Sequence, residues 1–170
     1  MTEAVEVAQD MDQSEADSMQ GRYLTFMLAS EGYGLEIRYV TEIIGIQEIT
    51  CLPDMPEHVR GVLNLRGKVI PVLDVRLRFH LPERDYDDRT CIIVVDVDDR
   101  SVGLVVDKVS EVIDIPMSDI EPAPKTSSSS GRAYIKGLGK IDQQVKILLD
   151  IESLVQDEDL SEIDTETLTA

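Results

Sequence analysis

The stretch GVLNLRGKVIPVLDV, residues 61–75, returns later in the chain as GLGKIDQQVKILLDI, residues 137–151. Each stretch consists of two apolar runs around a short polar centre, which is typical of a β-hairpin. The copies are 76 residues apart, so that Asp74 near the end of the first matches Asp150 in the second. This repetition predicts one supersecondary unit used twice, although the Asn-Leu-Arg-Gly turn, residues 64–67, occurs only in the first copy.

A second repeat lies upstream of each hairpin. The run YGLEIRYVTEII, residues 33–44, returns 69 residues later as VGLVVDKVSEVI, residues 102–113, and an apolar strand precedes each run, at 23–28 and at 91–95. The difference of seven residues between the two offsets predicts an insertion in the second copy, at the polar run KTSSSSG, residues 125–131. We therefore expect a unit of strand, hairpin, strand, linking piece and second hairpin, present twice.

Helical patterns are scarce in this sequence. Residues 56–60 fit one helical turn between a proline and a glycine, and short helices are expected at 74–81 and 150–156, after the hairpins. Residues 37–44 have helix-like apolar spacing but fit a bent strand equally well. Many short strands with little room for crossover helices favour a mainly β fold of small antiparallel barrels. Two barrels of about 70 residues are each marginal alone, so we expect them to pack on one another.

Composition locates the folded part of the chain. The 170 residues include only two Phe and no Trp, so Val, Ile and Leu must form the core, which favours strands. The net charge of −18 is concentrated at the ends, because residues 1–20 and 156–170 each hold six acidic residues and no Lys or Arg. We expect these ends to be solvated tails around a folded region at 21–155. Within it we expect a first barrel at about 21–89 and a second at about 90–155, with exchange of terminal segments between barrels allowed.

The sequence also excludes several classes of partner and compartment. An acidic chain without a basic stripe is a poor candidate for nucleic-acid binding. No apolar run approaches the roughly 18 residues of a membrane span, and the N-terminus lacks a basic segment followed by an apolar one. We expect a cytosolic protein in which Cys51 and Cys91 are reduced thiols, since disulfides are rare in that compartment.

Candidate catalytic and metal-binding groups are few. His58 and His80 are the only histidines, and Cys51 with His58 lacks the spacing of a metal site. The run DVDDRSVG, residues 96–103, begins like a calcium loop but lacks the downstream Glu, so a solvated hairpin turn is favoured. Phosphate-binding glycine motifs and nucleophile elbows do not occur. We therefore predict a protein without enzymatic activity, metal or cofactor.

Arg66 is the residue that invites a functional interpretation. Apolar strands flank its turn, and Gly67 lies at the tip. The equivalent positions of the second copy read Lys-Ile-Asp-Gln, residues 140–143, without the Asn or the Arg. Two interpretations remain open from the spacing alone. Arg66 is either an ordinary solvated turn residue or a planar guanidinium held on a stiff hairpin to anchor a partner.

Four stretches together resemble the CheW family of chemotaxis coupling proteins, over about Tyr23 to Val155. They are YGLEIRYVTEI at 33–43, NLRGKVIPVLDV at 64–75, VGLVVDKVSEVI at 102–113 and YIKGLGKIDQQVKILLDIESL at 134–154. The resemblance implies two SH3-like five-stranded β-barrels with a shared hydrophobic core and a few short helices. It further implies a non-enzymatic adaptor that couples membrane chemoreceptors, the methyl-accepting chemotaxis proteins, to the histidine kinase CheA in signalling arrays.

The resemblance also implies partner-binding residues. A receptor set matches family positions needed for receptor coupling: Arg66, Asn64, Gly61 and Glu42. A kinase set falls on the first-barrel surface offered to the kinase: Leu24, Ile37, Val40 and Ile43. The implied partners are the CheA regulatory domain and the cytoplasmic tip of the receptor, without direct membrane insertion.

The same resemblance implies a cytoplasmic protein that is peripheral to the inner membrane through receptor arrays. We expect a monomer in isolation, with weak self-association in arrays left open. Neither a kinase domain nor a receiver domain is expected, because little sequence lies outside residues 21–155. The alternative function is a CheW-like scaffold of a chemosensory-like pathway that controls motility or development. An enzyme ranks behind both.

Overall fold

A computed structural model describes residues 20–123 and 134–155. Its strands are β1 (Arg22–Leu28), β2 (Glu31–Glu36), β3 (Val40–Gly45), β4 (Val59–Leu65), β5 (Lys68–Asp74), β6 (Cys91–Val97), β7 (Arg100–Val106), β8 (Lys108–Asp114), β9 (Ile120–Pro122), β10 (Ile135–Ile141) and β11 (Gln144–Leu149). Two short α-helices, α1 (Val75–Arg78) and α2 (Ile151–Val155), follow the two long hairpins, and 3₁₀ turns occur at Ile37–Tyr39 and Met117–Asp119.

The strands form two sheets. Sheet A has the order β8-β1-β2-β11-β10-β9, and sheet B has the order β3-β6-β7-β5-β4. The predicted mainly β fold with few short helices is confirmed. The predicted closed five-stranded barrels are instead one six-stranded and one five-stranded sheet. Among residues 20–123 and 134–155, no strand pairing joins β8 to β9 or β3 to β4, so each sheet stays open along one side.

Each sheet takes strands from both copies of the repeat. Sheet A combines β1 and β2 of the first copy with β8 to β11 of the second, and sheet B combines β3 to β5 with β6 and β7. Strands from before and after residue 90 therefore occur in each sheet. When each strand of sheet B is replaced by its equivalent in the other copy, the order β3-β6-β7-β5-β4 becomes β8-β1-β2-β11-β10, which is the order of sheet A without β9. Parallel pairs join the copies at the same place in both sheets, β2 with β11 and β5 with β7.

One further pairing completes the equivalence of the sheets. In sheet A, the short strand β9 pairs Glu121 with Leu138 of β10. In sheet B, the equivalent of β9 is an isolated bridge between Thr50 and Val62 of β4. Two backbone hydrogen bonds of 2.9 Å hold this bridge, one in each direction. Both sheets thus end in a short segment laid against the first strand of a long hairpin.

The turn chemistry explains the tight hairpins. Two-residue loops join β4 to β5, β6 to β7 and β10 to β11, and both residues of each loop have positive φ: Arg66 53° and Gly67 85°, Asp98 51° and Asp99 63°, Asp142 47° and Gln143 67°. Two positive φ values are the signature of type I′ turns, whose twist matches that of the flanking strands. The acidic run at residues 96–103 is therefore a hairpin turn, as expected.

The helix expectations are met in part. Asp74 accepts a hydrogen bond from Leu77 N (3.3 Å), and Asp150 accepts one from Ser153 N (3.2 Å), so each aspartate caps the helix that follows its hairpin. The single turn expected at 56–60 closes between Val59 N and Pro56 O (3.0 Å). It is shorter than expected, because strand β4 already begins at Val59. Residues 37–44 combine a 3₁₀ turn with an edge strand.

The largest hydrophobic cluster joins the two sheets. It contains Leu24, Phe26 and Leu35 of sheet A together with residues of sheet B such as Ile93 and Leu104. Because apolar side chains of both sheets share this cluster, neither sheet buries its inner face without the other. In the described part of the chain, no helix combines the length and the apolar character that a membrane crossing requires.

Candidate functional site

The β4–β5 turn presents Arg66 to solvent on a rigid support. Arg66 adopts a φ of 53°, and its side chain is 75% exposed. The side-chain Oδ1 of Asn64 accepts a hydrogen bond from the backbone N of Gly67 (3.0 Å), which braces the turn from within. Asn64 thus stabilises the turn, and Gly67 adopts the second positive φ with no Cβ in the way. The local sequence explains the shape of the turn, and the arginine is displayed on it.

Arg66 is held by an acid from a distant strand. Its Nη2 lies 2.6 Å from Oε1 of Glu42, and its Nη1 lies 3.2 Å from Oε2 of the same side chain. This bidentate geometry is the strongest arrangement open to an arginine and a carboxylate. The hydrogen bonds and the charge of Glu42 raise the pKa of Arg66 above its ordinary value. Glu42 lies on β3 and Arg66 beside β4, so the ion pair joins the two edge strands of sheet B across its open side.

Gly61 of the receptor set has a different position. It is buried, it has a φ of +137°, and it lies at an irregularity in the pairing of β4 with β5. A Cβ atom at this position would lie 1.9 Å from the carbonyl O of Thr50. Gly61 therefore allows the Thr50 segment to approach β4. The structure brings Arg66, Asn64 and Glu42 together at the surface and places Gly61 beneath them, as part of the scaffold.

The kinase set is divided between surface and core. Ile43 on the edge strand β3 is 43% exposed, and Ile37 and Val40 are half-buried against the main core. Leu24 is only 2% exposed, because it lies on β1, which is flanked by β8 and β2 and packs into the core. The expected surface position of Leu24 is therefore wrong. Leu24 belongs to the cluster on which Ile37 and Val40 pack.

Sequence reasoning missed a cleft beyond β3. It has a volume of about 340 Å³ and is lined by Ile49, Cys51, Arg60 and Tyr86, among others. Ile44, Ile46 and Ile49 are half-buried beside it and pack on a second, smaller core cluster. The three isoleucines Ile44, Ile46 and Ile49 were the signal available, although they are not spaced regularly. They could not indicate the side on which the segment after β3 packs.

A buried carboxylate organises one wall of this cleft. The Oδ2 of Asp74 accepts a hydrogen bond from the hydroxyl of Tyr86 (2.9 Å) and from Nε of Arg60 (3.4 Å). Arg60 also contacts Glu83 (2.9 Å) and lies over the Tyr86 ring, 5.6 Å from its centroid. Burial and the charge of Asp74 raise the pKa of Tyr86, so its hydroxyl stays a donor at neutral pH. The network fixes the loop before β6 against sheet B.

A further feature of the described residues is the arrangement of potential metal ligands. No group of three or more His, Cys, Asp or Glu side chains within residues 20–123 and 134–155 is arranged to hold a metal ion. Cys51 is exposed and Cys91 is half-buried, and both are free thiols. This surface instead presents Arg66 on a braced turn and Ile43 on the edge strand β3.

The comparisons with known proteins agree with one another. The model of the CheW-like domain family matches residues 22–159. The chain is 37% identical over 142 residues to the chemotaxis protein CheW of Klebsiella aerogenes, covering 84% of this chain and 86% of that protein. It is 30% identical over 148 residues to the chemotaxis protein CheW of Treponema pallidum, covering 85% and 87% of the two chains.

A solved structure extends this similarity to three dimensions. The crystal structure of the scaffolding protein TtCheW from Thermoanaerobacter tengcongensis matches with a TM-score of 0.75 at 36% sequence identity. The match covers 82% of this chain and 94% of that one. Sequence and fold thus agree over nearly the whole described region. The chain belongs to the CheW-like domain family.

Proposed function

We propose that this protein is a non-enzymatic chemotaxis adaptor that couples chemoreceptors to the histidine kinase CheA in signalling arrays. Its relatives are named as chemotaxis proteins, and its structural neighbour is described as a scaffolding protein. The observation that carries the proposal is the ion pair between Arg66 and Glu42. It joins an exposed turn to an apolar edge strand, so that two different docking features lie side by side on sheet B.

The edge strand β3 is the proposed kinase contact. Ile43 is exposed, and Ile37 and Val40 keep part of their apolar surface accessible. An apolar strip on a sheet edge suits a stable protein contact better than it suits water. Leu24 contributes only indirectly, because it is part of the core beneath Ile37 and Val40. The partner on this side is the regulatory domain of CheA.

The β4–β5 turn is the proposed receptor contact. Arg66 extends from a turn braced by Asn64, and it is oriented by Glu42. A guanidinium that is already oriented loses little side-chain freedom on binding, which favours a role as an anchor. Gly61 supports this contact from below by letting the Thr50 segment approach β4. The partner on this side is the cytoplasmic tip of a chemoreceptor.

The remaining properties follow from this role. The adaptor is cytoplasmic and reaches the inner membrane only through receptors. It is a monomer in isolation, and its weak self-association is confined to arrays. Residues 21–155 form its folded region.

A pull-down tests the proposal. The full-length protein is mixed with the CheA regulatory domain, with a receptor cytoplasmic fragment, and with both. We expect binding to each partner alone and a three-component complex when all are present. Binding to neither partner would reject the adaptor function. Binding of the two partners in competition would reject the side-by-side arrangement and leave a single shared surface.

A further inference from the structure

The chain crosses between the sheets at two equivalent places. The first crossover is the 3₁₀ turn Ile37–Tyr39, which leads from β2 in sheet A to β3 in sheet B. The second is Asp107, which leads from β7 in sheet B to β8 in sheet A. The offset of 69 residues makes Asp107 the equivalent of Arg38. The offset of 76 residues likewise makes Glu152 on α2 the equivalent of Arg76 on α1.

The second crossover is clamped by a direct ion pair. Nη1 of Arg76 lies 2.6 Å from Oδ2 of Asp107, and the two side chains are only 13% and 11% exposed. The backbone N of Ala29 donates to the same carboxylate oxygen (2.8 Å), and Arg84 lies 3.4 Å from it. Helix α1 of the first copy thus holds the crossover of the second copy. A shielded carboxylate with several donors makes this a firm attachment.

The first crossover carries the same clamp with its charges reversed. Here the crossover supplies the base, Arg38, and helix α2 supplies the acid, Glu152. The two are joined through the hydroxyl of Tyr39, which accepts from Nη2 of Arg38 (2.8 Å) and donates to Oε1 of Glu152 (2.7 Å). The guanidinium of Arg38 also lies over the Tyr39 ring, 4.6 Å from its centroid. Burial and the hydrogen bond to Glu152 raise the pKa of Tyr39 to about 12.

We propose that Tyr39 is a positioning residue for kinase docking. It acts by clamping the first crossover to helix α2 through Glu152. Ile37 and Val40 lie on either side of the clamp residues, and the backbone N–H of Val40 donates to the carbonyl of Ile37. Helix α2 is itself fixed, because Ile151, Leu154 and Val155 are buried in the core. The clamp therefore fixes the positions of Ile37 and Val40, two of the proposed kinase contacts, relative to the core of the protein. This inference rests on the proposed function.

The exposure of the first clamp sets its strength. The Arg38 side chain is 54% exposed, and it also contacts Glu36 (3.3 Å), which binds Lys136 (2.9 Å) in turn. An exposed polar link of this kind is weaker than the shielded pair of Arg76 and Asp107. Its removal should loosen the crossover locally without unfolding the protein. The proposed kinase contacts are thus held by the weaker of the two links, the one through Tyr39.

The experiment uses Tyr39→Phe, Glu152→Ala and the double variant in the full-length protein. Tyr39→Phe keeps the ring and removes both hydroxyl contacts, and Glu152→Ala removes the acceptor at the other end. We expect each single variant to bind the CheA regulatory domain about three- to tenfold more weakly, the effect of one lost hydrogen bond. The double variant should be no weaker than the singles, because all three break one link. The matched control is Lys140→Gln, which breaks the exposed ion pair with Glu121 and should leave CheA affinity unchanged.

A second measurement separates this inference from the proposed function. Hydrogen exchange of the Val40 amide should become several-fold faster in Tyr39→Phe and Glu152→Ala, whether or not CheA is present. Normal CheA binding by both variants would overturn the positioning role, and unchanged Val40 exchange would overturn the clamp itself. If the parent protein does not bind CheA, the proposed function and the positioning role fail together. Val40 exchange then still decides whether the clamp exists. If Tyr39→Phe does not fold, Glu152→Ala alone decides the outcome by the same criteria.

Discussion

The two long hairpins, β4–β5 and β10–β11, share one architecture and differ in what they display. Both close with a two-residue loop in which each residue has a positive φ, and both are followed by a short helix capped by an aspartate. The first loop presents Arg66, which binds Glu42 of β3. The second has Asp142 at the equivalent position, and the equivalent of Glu42 is Glu111, so the same ion pair cannot form. The shape of the hairpin is repeated, and the charged contact belongs to one copy.

Gly61 and Gly137 show a feature that both copies share. Gly61 of β4 and Gly137 of β10 are equivalent, and each lies where a short segment pairs with the edge of its strand. A Cβ atom would lie 1.9 Å from Thr50 O at Gly61 and 2.7 Å from Glu121 O at Gly137. Both glycines are required for close packing of the neighbouring backbone, whereas Arg66 occurs in the first copy only.

The largest effect is expected from Gly61→Ala. The added Cβ would meet a backbone carbonyl, and the φ of +137° is a conformation that alanine rarely adopts. We expect a loss of about 3 kcal/mol or more in the free energy of unfolding, measured by urea titration. Gly137→Ala, with a longer contact and no positive φ, should lose less. Equal losses would show that the two copies are equally tight.

The next largest effect is expected from Val40→Glu on the edge strand β3. A carboxylate in the proposed kinase contact should abolish binding to the CheA regulatory domain, while circular dichroism and the urea midpoint remain close to those of the parent. Val109→Glu, the equivalent change on β8, is the matched comparison and should keep CheA affinity. Unfolding of Val40→Glu would mean that Val40 belongs to the core. In that case Ile43→Glu, at the more exposed position, repeats the test.

Arg66→Ala should weaken receptor binding with little effect on folding. An interface arginine contributes about 2 kcal/mol or more to binding, whereas an exposed turn substitution changes stability by about 0.5 kcal/mol or less. Asp142→Ala in the second hairpin is the control and should change neither quantity. A parallel fall of receptor affinity and urea midpoint in Arg66→Ala would make the residue structural. No change in either would make it an ordinary turn residue.

The smallest effect is expected from removing the acidic ends. The truncation removes residues 1–20 and 158–170, whose sequences carry charge of one sign with no apolar periodicity. All of them except Gln20 lie outside the described residues. Such segments gain little from packing, so the melting temperature of the truncated protein should stay nearly unchanged. A loss of many degrees would indicate that one end packs on the folded region. Removing each end separately would then identify which.

Prediction from sequence succeeded where contiguous residues carry the information. The alternating apolar runs around Asn64 to Gly67 specify a hairpin because side chains in a strand alternate between its faces. Prediction failed where burial depends on which other strands lie beside a residue in the folded sheet. Leu24 has the same apolar character as Ile43, yet one lies on a central strand and the other on an edge. Nothing in their neighbours along the chain distinguishes these two places.

The sequence by itself determined the two copies, the tight turns and their capping aspartates, because these depend on apolar periodicity and on residues a few positions apart. Only the tertiary structure decided that each sheet draws strands from both copies, since strand partners are chosen by long-range packing of a shared core. It alone joined Arg66 to Glu42, and Tyr39 to Glu152 across 113 residues of sequence. Contacts over such distances form only after the backbone has folded, so they leave no pattern in the local sequence.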